Sequence, residues 1–212
     1  MASVRTPVEL SPVPLSTAPA TRLTRLFLGL ICYGTSMAMM TRSGLGLNPW
    51  DVLHEGVADR TPLTFGTVTA LTAALVLLLW IPLRQRPGFG TVANVVVIAV
   101  VVDVVRLLLP DAHQLVWQVV LLLGGVVLNG VATAVYVGAR LGPGPRDGLM
   151  TGLSARTGRS VRSVRTAIEL TVLATGWLLG GTVGVGTVLY ALAIGPLTQL
   201  FLPYVTWAPR NR

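Results

Sequence analysis

The sequence predicts an all-α polytopic membrane protein, with six transmembrane helices as two inverted three-helix repeats, each carrying a short motif helix after its first span. Three observations carry this. Of the 212 residues, 52% are hydrophobic and 11% charged, with a mean hydropathy of +0.71, which is too apolar for a soluble domain. Six apolar runs, at about 23–41, 65–83, 91–109, 115–139, 164–180 and 186–205, each approach the roughly 20 residues that cross a bilayer's hydrocarbon. The third observation is a segment that recurs at a fixed offset of 96.

That recurrence appears when LGLNPWDVLHEGVADRT (45–61) is laid over LGPGPRDGLMTGLSART (141–157). Without a gap, Leu45, Gly46, Pro49, Asp51, Leu53, Gly56, Arg60 and Thr61 meet Leu141, Gly142, Pro145, Asp147, Leu149, Gly152, Arg156 and Thr157. GFGTV at 88–92 lies over GVGTV at 184–188, and Gly29 and Gly34 lie over Gly125 and Gly130. Chance likeness between two apolar segments matches Leu and Val, not Pro, Asp and paired glycines. The chain therefore reads as one duplicated unit in a single membrane domain, 22–109 holding three spans and 115–205 three more.

Residues 1–21 contain Pro7, Pro12, Pro14 and Pro19, which oppose a helix, and are expected to form a disordered cytoplasmic tail. After the first span, Asn48 is placed to cap a helix opening at Pro49, with Asp51 at its third position. Gly144, Pro145 and Asp147 take the same places after the fourth span. Gly46, Pro49, Gly142, Gly144 and Pro145 build the motif turns. The helices they open, about 49–59 and 145–156, are too short and polar to span, and read as interfacial or re-entrant segments. Gly88 and Gly90 open the third span. Gly184 and Gly186 open the sixth, which Gly195 and Pro196 interrupt; small residues there let helices approach closely.

Every one of the 16 basic residues is arginine. With the N-terminus cytoplasmic, Arg5, Arg22, Arg25, Arg84, Arg86, Arg140, Arg146, Arg156, Arg159, Arg162, Arg165, Arg210 and Arg212 lie inside and only Arg42, Arg60 and Arg106 outside. This positive-inside bias puts both termini in the cytoplasm. Arginines in short loops without interleaved aromatics also argue against nucleic acid, despite a pI near 11.2. A unit with three spans enters on one side and leaves on the other, so its copy lies upside down. Secondary transporters built this way place the substrate near the midplane between the repeats.

Asp51 and Asp147 each have two readings: a helix cap, or a carboxylate facing a polar cavity that binds a cation, a proton or a polar solute. Arg146 would suit the inner motif to an anion, and its counterpart outside is Trp50. Asn48, Asn129 within the fourth span, and Glu169 complete the candidate set. The counterpart of Asn129 is Tyr33. Glu169 follows Arg165 by four, which suits an intrahelical pair as well as a cavity-facing carboxylate, and Asp103 is expected to pair with Arg106. His54 and Glu55 lack the further ligands zinc requires, and the lone Cys32 supports neither disulfide nor metal site. With no nucleophile–base pair and no nucleotide loop, neither enzymatic activity nor a cofactor is expected.

GLGLNPWDVLH (44–54), GPGPRDGLM (142–150) and GVGTVLYALAIGPLTQL (184–200) together resemble the YczE-like branch of the bacterial YczE/YyaS/YitT integral membrane proteins. The resemblance implies a multi-helix protein of the bacterial cytoplasmic membrane and carries no established activity. The preferred expectation is a transporter or permease for a small solute or ion. Its alternative is a non-transporting scaffold or regulatory factor for a partner protein. The expected partners are the lipid bilayer, the transported solute or ion and, for a unit of only 22.4 kDa, a second copy of the chain as a homodimer.

Overall fold

A computed structural model describes residues 10–208 of the chain. The described residues form α1 (Pro19–Ser43), α2 (Pro49–Ala58), α3 (Phe65–Leu83), α4 (Phe89–Leu108), α5 (Leu115–Gly138), α6 (Pro145–Thr157), α7 (Val161–Leu178) and α8 (Val185–Val205), with no strand among them. Arg5, Arg210 and Arg212 lie outside the described residues, as does the start of the expected tail.

The remainder of that tail is not loose. Pro19 already begins α1, and the Arg22 guanidinium, fully buried, donates to the carbonyls of Val13, Pro14, Thr17, Ala139 and Arg140. Arg140 in turn reaches the carbonyl and hydroxyl of Ser11. Prolines prevent a helix there, but the freed carbonyls are what the two guanidinium groups bind. The expectation of disorder fails from Ser11 onward for this reason.

Helices α1, α3, α4, α5 and α8 are long and apolar enough to cross a membrane. The fifth expected span, α7, differs. Ser160 caps it by accepting from the Ser163 N–H, so the helix starts before its apolar run and takes in Arg162 in addition to the Arg165 and Glu169 of the expected span. Its 18 residues rise about 27 Å, and only Val164 and Gly176 are buried.

α1 and α5 cross at the centre, with Leu26, Leu30, Met37, Tyr136 and Ala139 in one buried cluster. Around them the contacts are reciprocal. α1 packs on α4 as α5 packs on α8, α2 packs on α7 as α6 packs on α3, and α2 meets α3 as α6 meets α7. Single residues repeat the pattern. The Gly186 N–H donates to the Leu45 carbonyl at 2.8 Å, and the Gly90 N–H, 96 positions earlier, donates to the Leu141 carbonyl at 2.9 Å. A β-carbon at Gly46 would come within 2.7 Å of the Gly184 nitrogen; one at Gly142 would come within 3.0 Å of the Gly88 Cα. Both glycines also hold positive φ, 116° and 127°, which L side chains rarely adopt. Each motif turn thus seats against the first turn of the other half's last helix.

Two departures from reciprocity matter. The first is an exchange of size: on α3, the Trp80 side chain lies against Gly148 of α6, whereas the equivalent Gly176 of α7 lies against the backbone of Val52 and Leu53 of α2. The Trp80 indole also donates to the Pro145 carbonyl at 3.0 Å. A β-carbon on Gly148 would fall 2.0 Å from that ring, so Gly148→Ala is expected to cost about 1–3 kcal/mol in overpacking. Thermal unfolding of purified protein checks this, and Trp80→Leu in the same chain should recover part of the loss.

The second departure is a missing interface. α3 packs along α4, but no comparable packing joins α7 to α8. The α3–α4 contact ends in a latch: Asp103 accepts the Gly66 N–H at 2.7 Å and the Thr64 hydroxyl. Asp103 thereby caps α3 instead of pairing with Arg106, whose guanidinium stacks on Phe65 at 4.8 Å. The corresponding residues of the second half are Ser160, Arg162 and Gln199. Gln199 is exposed, and beside it Gly195 has open space where Ala99 meets Gly66 in the first half.

Candidate functional site

Local sequence builds both motif helices as expected. The Asn48 side chain accepts the N–H groups of Trp50 and Asp51 at 3.1 and 3.0 Å, with Pro49 in the first turn. Its amide also donates to Asp51 Oδ2 at 2.5 Å, which holds that carboxylate against the helix start. In the second copy Gly144 replaces Asn48. The space so gained is used: the Asp147 carboxylate, the Tyr136 hydroxyl and the Asn94 amide all lie within 4 Å of where a side chain on Gly144 would begin.

The two copies meet where they differ. Arg146 stacks over the ring of its own counterpart, Trp50, at 4.8 Å, and reaches 3.7 Å from Asp51 Oδ1. His54 Nδ1 stands 3.3 Å from the same oxygen and 3.2 Å from the Thr69 hydroxyl. Asp51 is fully buried, and its Oδ1 has no hydrogen-bond partner in acceptable geometry. Burial pushes the His54 imidazole below its ordinary pKa, with Asp51 opposing the shift. Asp147 is different in kind. It lies at an exposed position of α6 and accepts the Tyr136 hydroxyl at 3.3 Å.

Four further polar groups join the cluster from spanning helices. Tyr33 lies edge-on to Tyr136 at 5.9 Å. Asn129 is buried between α1 and α8, donating to the Ser36 hydroxyl at 2.8 Å and accepting from the Tyr190 hydroxyl at 3.0 Å. Of the residues singled out by sequence, Asn48, Asp51, Asn129, Arg146 and Asp147 therefore gather at one place. Glu169 does not join as a free carboxylate, since Arg165 holds it at 2.8 Å along α7. Sequence reasoning weighed His54 only as a metal ligand and missed Tyr136, Tyr190 and Asn94. A signal for the last two was present: Asn94 and Tyr190 are equivalents at the 96 offset, as are Tyr33 and Asn129, so polar residues recur at matched depths in otherwise apolar spans.

An all-helical chain with five apolar membrane-length helices and a buried polar cluster between its halves defines a multi-pass membrane protein. Residues 20–203 match the family described as a family of unknown function, DUF6198. The chain is 36% identical to the Bacillus subtilis protein named "Uncharacterized membrane protein YczE" over 185 residues, 86% of each chain, and it belongs to that YczE-like family. It is also 38% identical over 195 residues to a Haemophilus influenzae protein described as uncharacterized, covering 92% of this chain and 89% of that one. A more distant likeness, 24% over 182 residues, is to YyaS of Bacillus subtilis, covering 84% of this chain and 90% of the other. No solved structure matches.

Proposed function

We propose that the chain is a six-span transporter or permease of the bacterial cytoplasmic membrane, with both termini cytoplasmic, built from two inverted repeats and moving a small solute or ion past Asp51, Arg146 and Asp147 without chemical conversion. The observation that carries this is the combination of reciprocal contacts with one broken interface. Reciprocity at an offset of 96 is what a pseudo-two-fold axis produces, and three spans per unit make that axis lie in the membrane plane. The α3–α4 contact is then the outer gate, closed by Asp103. The α7–α8 gap is the inner gate, open, and the inner motif's Asp147 is exposed while Asp51 is buried. Exchanging the conformations of the two halves closes the second gate and opens the first. A scaffold has no use for a polar cluster that faces one side only.

Asn94→Cys, in a chain whose Cys32 is replaced by serine, tests the reading. Membrane-impermeant maleimide applied to oriented vesicles is expected to label it from either face, since each state opens to one side. Labelling from neither face, in protein that folds normally, would favour the scaffold.

A further inference from the structure

Resting on that transport reading, we infer that the cluster takes up a monovalent cation, an alkali-metal ion or a protonated amine, and not an anion. Charge decides the class. α1 offers Tyr33, α2 Asp51 and His54, α4 Asn94, α5 Tyr136, α6 Arg146 and Asp147, α7 Arg165, and α8 Tyr190. Arg165 is matched by Glu169 at 2.8 Å, so that pair adds no net charge. His54, buried with its pKa lowered, is neutral at pH 7. Two carboxylates then face one guanidinium. The excess of one negative charge sits among apolar helices, where an uncompensated charge is costly.

Geometry shows where the missing charge belongs. Asp51 Oδ1 is buried and lacks a hydrogen-bond partner, while Arg146 stays 3.7 Å away, held over Trp50. Asp147 stands open with a single hydroxyl donor. A cation entering beside α7 meets Asp147 first and then the unoccupied oxygen of Asp51. The Tyr33 and Tyr136 rings provide aromatic surface suited to an amine. Among the described residues no three His, Cys, Asp or Glu side chains converge, which is too few anionic ligands for a divalent ion and enough for a single charge.

Thermal unfolding of the detergent-purified full chain provides the test. Sodium, potassium or methylammonium chloride replaces tetrapropylammonium chloride at fixed pH and ionic strength. At least one is expected to raise Tm saturably. Asp147→Asn should weaken the apparent affinity about tenfold, the effect of losing one charge-assisted contact. Arg146→Gln should strengthen it, because the guanidinium competes for Asp51. These opposite signs keep the inference testable even if one variant folds poorly. Three results would overturn it: no response to any of the three cations, a Tm that moves with pH alone and so assigns the charge to a proton, or stabilisation by added anions that Arg146→Gln abolishes. Gate exchange is measured without any ligand, so its failure sinks the transport reading, while intact exchange with no cation response sinks only the present inference.

Discussion

Cysteines placed at Ser160 and Gln199, in a chain lacking Cys32, are expected to form a disulfide under mild oxidation in native membranes, even though α7 and α8 stand apart in the structure. Their equivalents, Thr64 and Asp103, join α3 to α4, with the Thr64 hydroxyl on the Asp103 carboxylate. If the halves exchange conformations, Ser160 and Gln199 must come together whenever Thr64 and Asp103 part. The two cross-links should therefore compete. A Thr64→Cys/Asp103→Cys disulfide is expected to slow formation of the 160–199 disulfide about tenfold or more, corresponding to a shift of roughly 1.4 kcal/mol between the two states. Gly66 supplies an independent lever. A β-carbon there would fall 2.1 Å from the Ala99 carbonyl, so Gly66→Val should wedge the α3–α4 gate open and accelerate the 160–199 disulfide. Mass spectrometry of the linked peptides reads all three. Formation of the 64–103 link with no trace of 160–199 under any condition would contradict alternation.

The second large effect separates the two aspartates. Asp51→Ala is expected to lower stability by about 3 kcal/mol, because it leaves Arg146 without its buried counter-charge and strips the Asn48 amide of its acceptor. Asp147→Ala should cost clearly less stability than Asp51→Ala, since Asp147 is exposed and the Tyr136 hydroxyl reaches it only at 3.3 Å, yet it should abolish uptake into cells or vesicles. Equivalent positions would then have divided their work: one carboxylate organises the cluster and the other meets what enters. Thermal unfolding and uptake measured on the same preparations check both halves of this expectation. Equal loss of stability in the two variants would mean that both simply cap their helices.

Sequence alone made much of this legible, and for identifiable reasons. Asn48-Pro49 and Gly144-Pro145 announce helix starts because proline's fixed φ suits the first helical position, and both helices begin there. Matched glycines at the 96 offset announced close approach, and Gly46 and Gly142 do press on Gly184 and Gly88. The site was partly visible through Asp51, Arg146 and Asp147, whose charge is conspicuous in an apolar chain. Tyr136 was hidden because tyrosine at a membrane boundary is ordinary, and nothing local distinguishes a hydroxyl turned inward; Tyr190 was legible only through its match to Asn94 at the 96 offset. His54 was weighed only as a metal ligand, although its role is to stand beside Asp51. The extent of α7 escaped because a cap at Ser160 outweighs apolar composition in fixing where a helix starts. The docking of Ser11 onto Arg140 depends on a contact 129 residues away in sequence, which periodicity cannot register.

The exchange of Trp80 and Gly148 for Gly176 and Val52 bears on how such a chain can evolve. An ancestral unit of this kind would pair with an identical copy, and every contact would be met by its own replica. That route is now closed to both descendants. Two copies of the first half would force Trp80 of each onto Val52 of the other, where no hollow exists to receive an indole. Two copies of the second would set Gly176 against Gly148 and leave a void. On the duplicated-unit reading, fusion into one polypeptide would keep unlike halves at equal numbers, so that each could reshape itself around the other and the pair would become obligate. The same divergence freed one member of each matched position to specialise: Arg146 beside Trp50 is an asymmetry that no assembly of identical halves could carry.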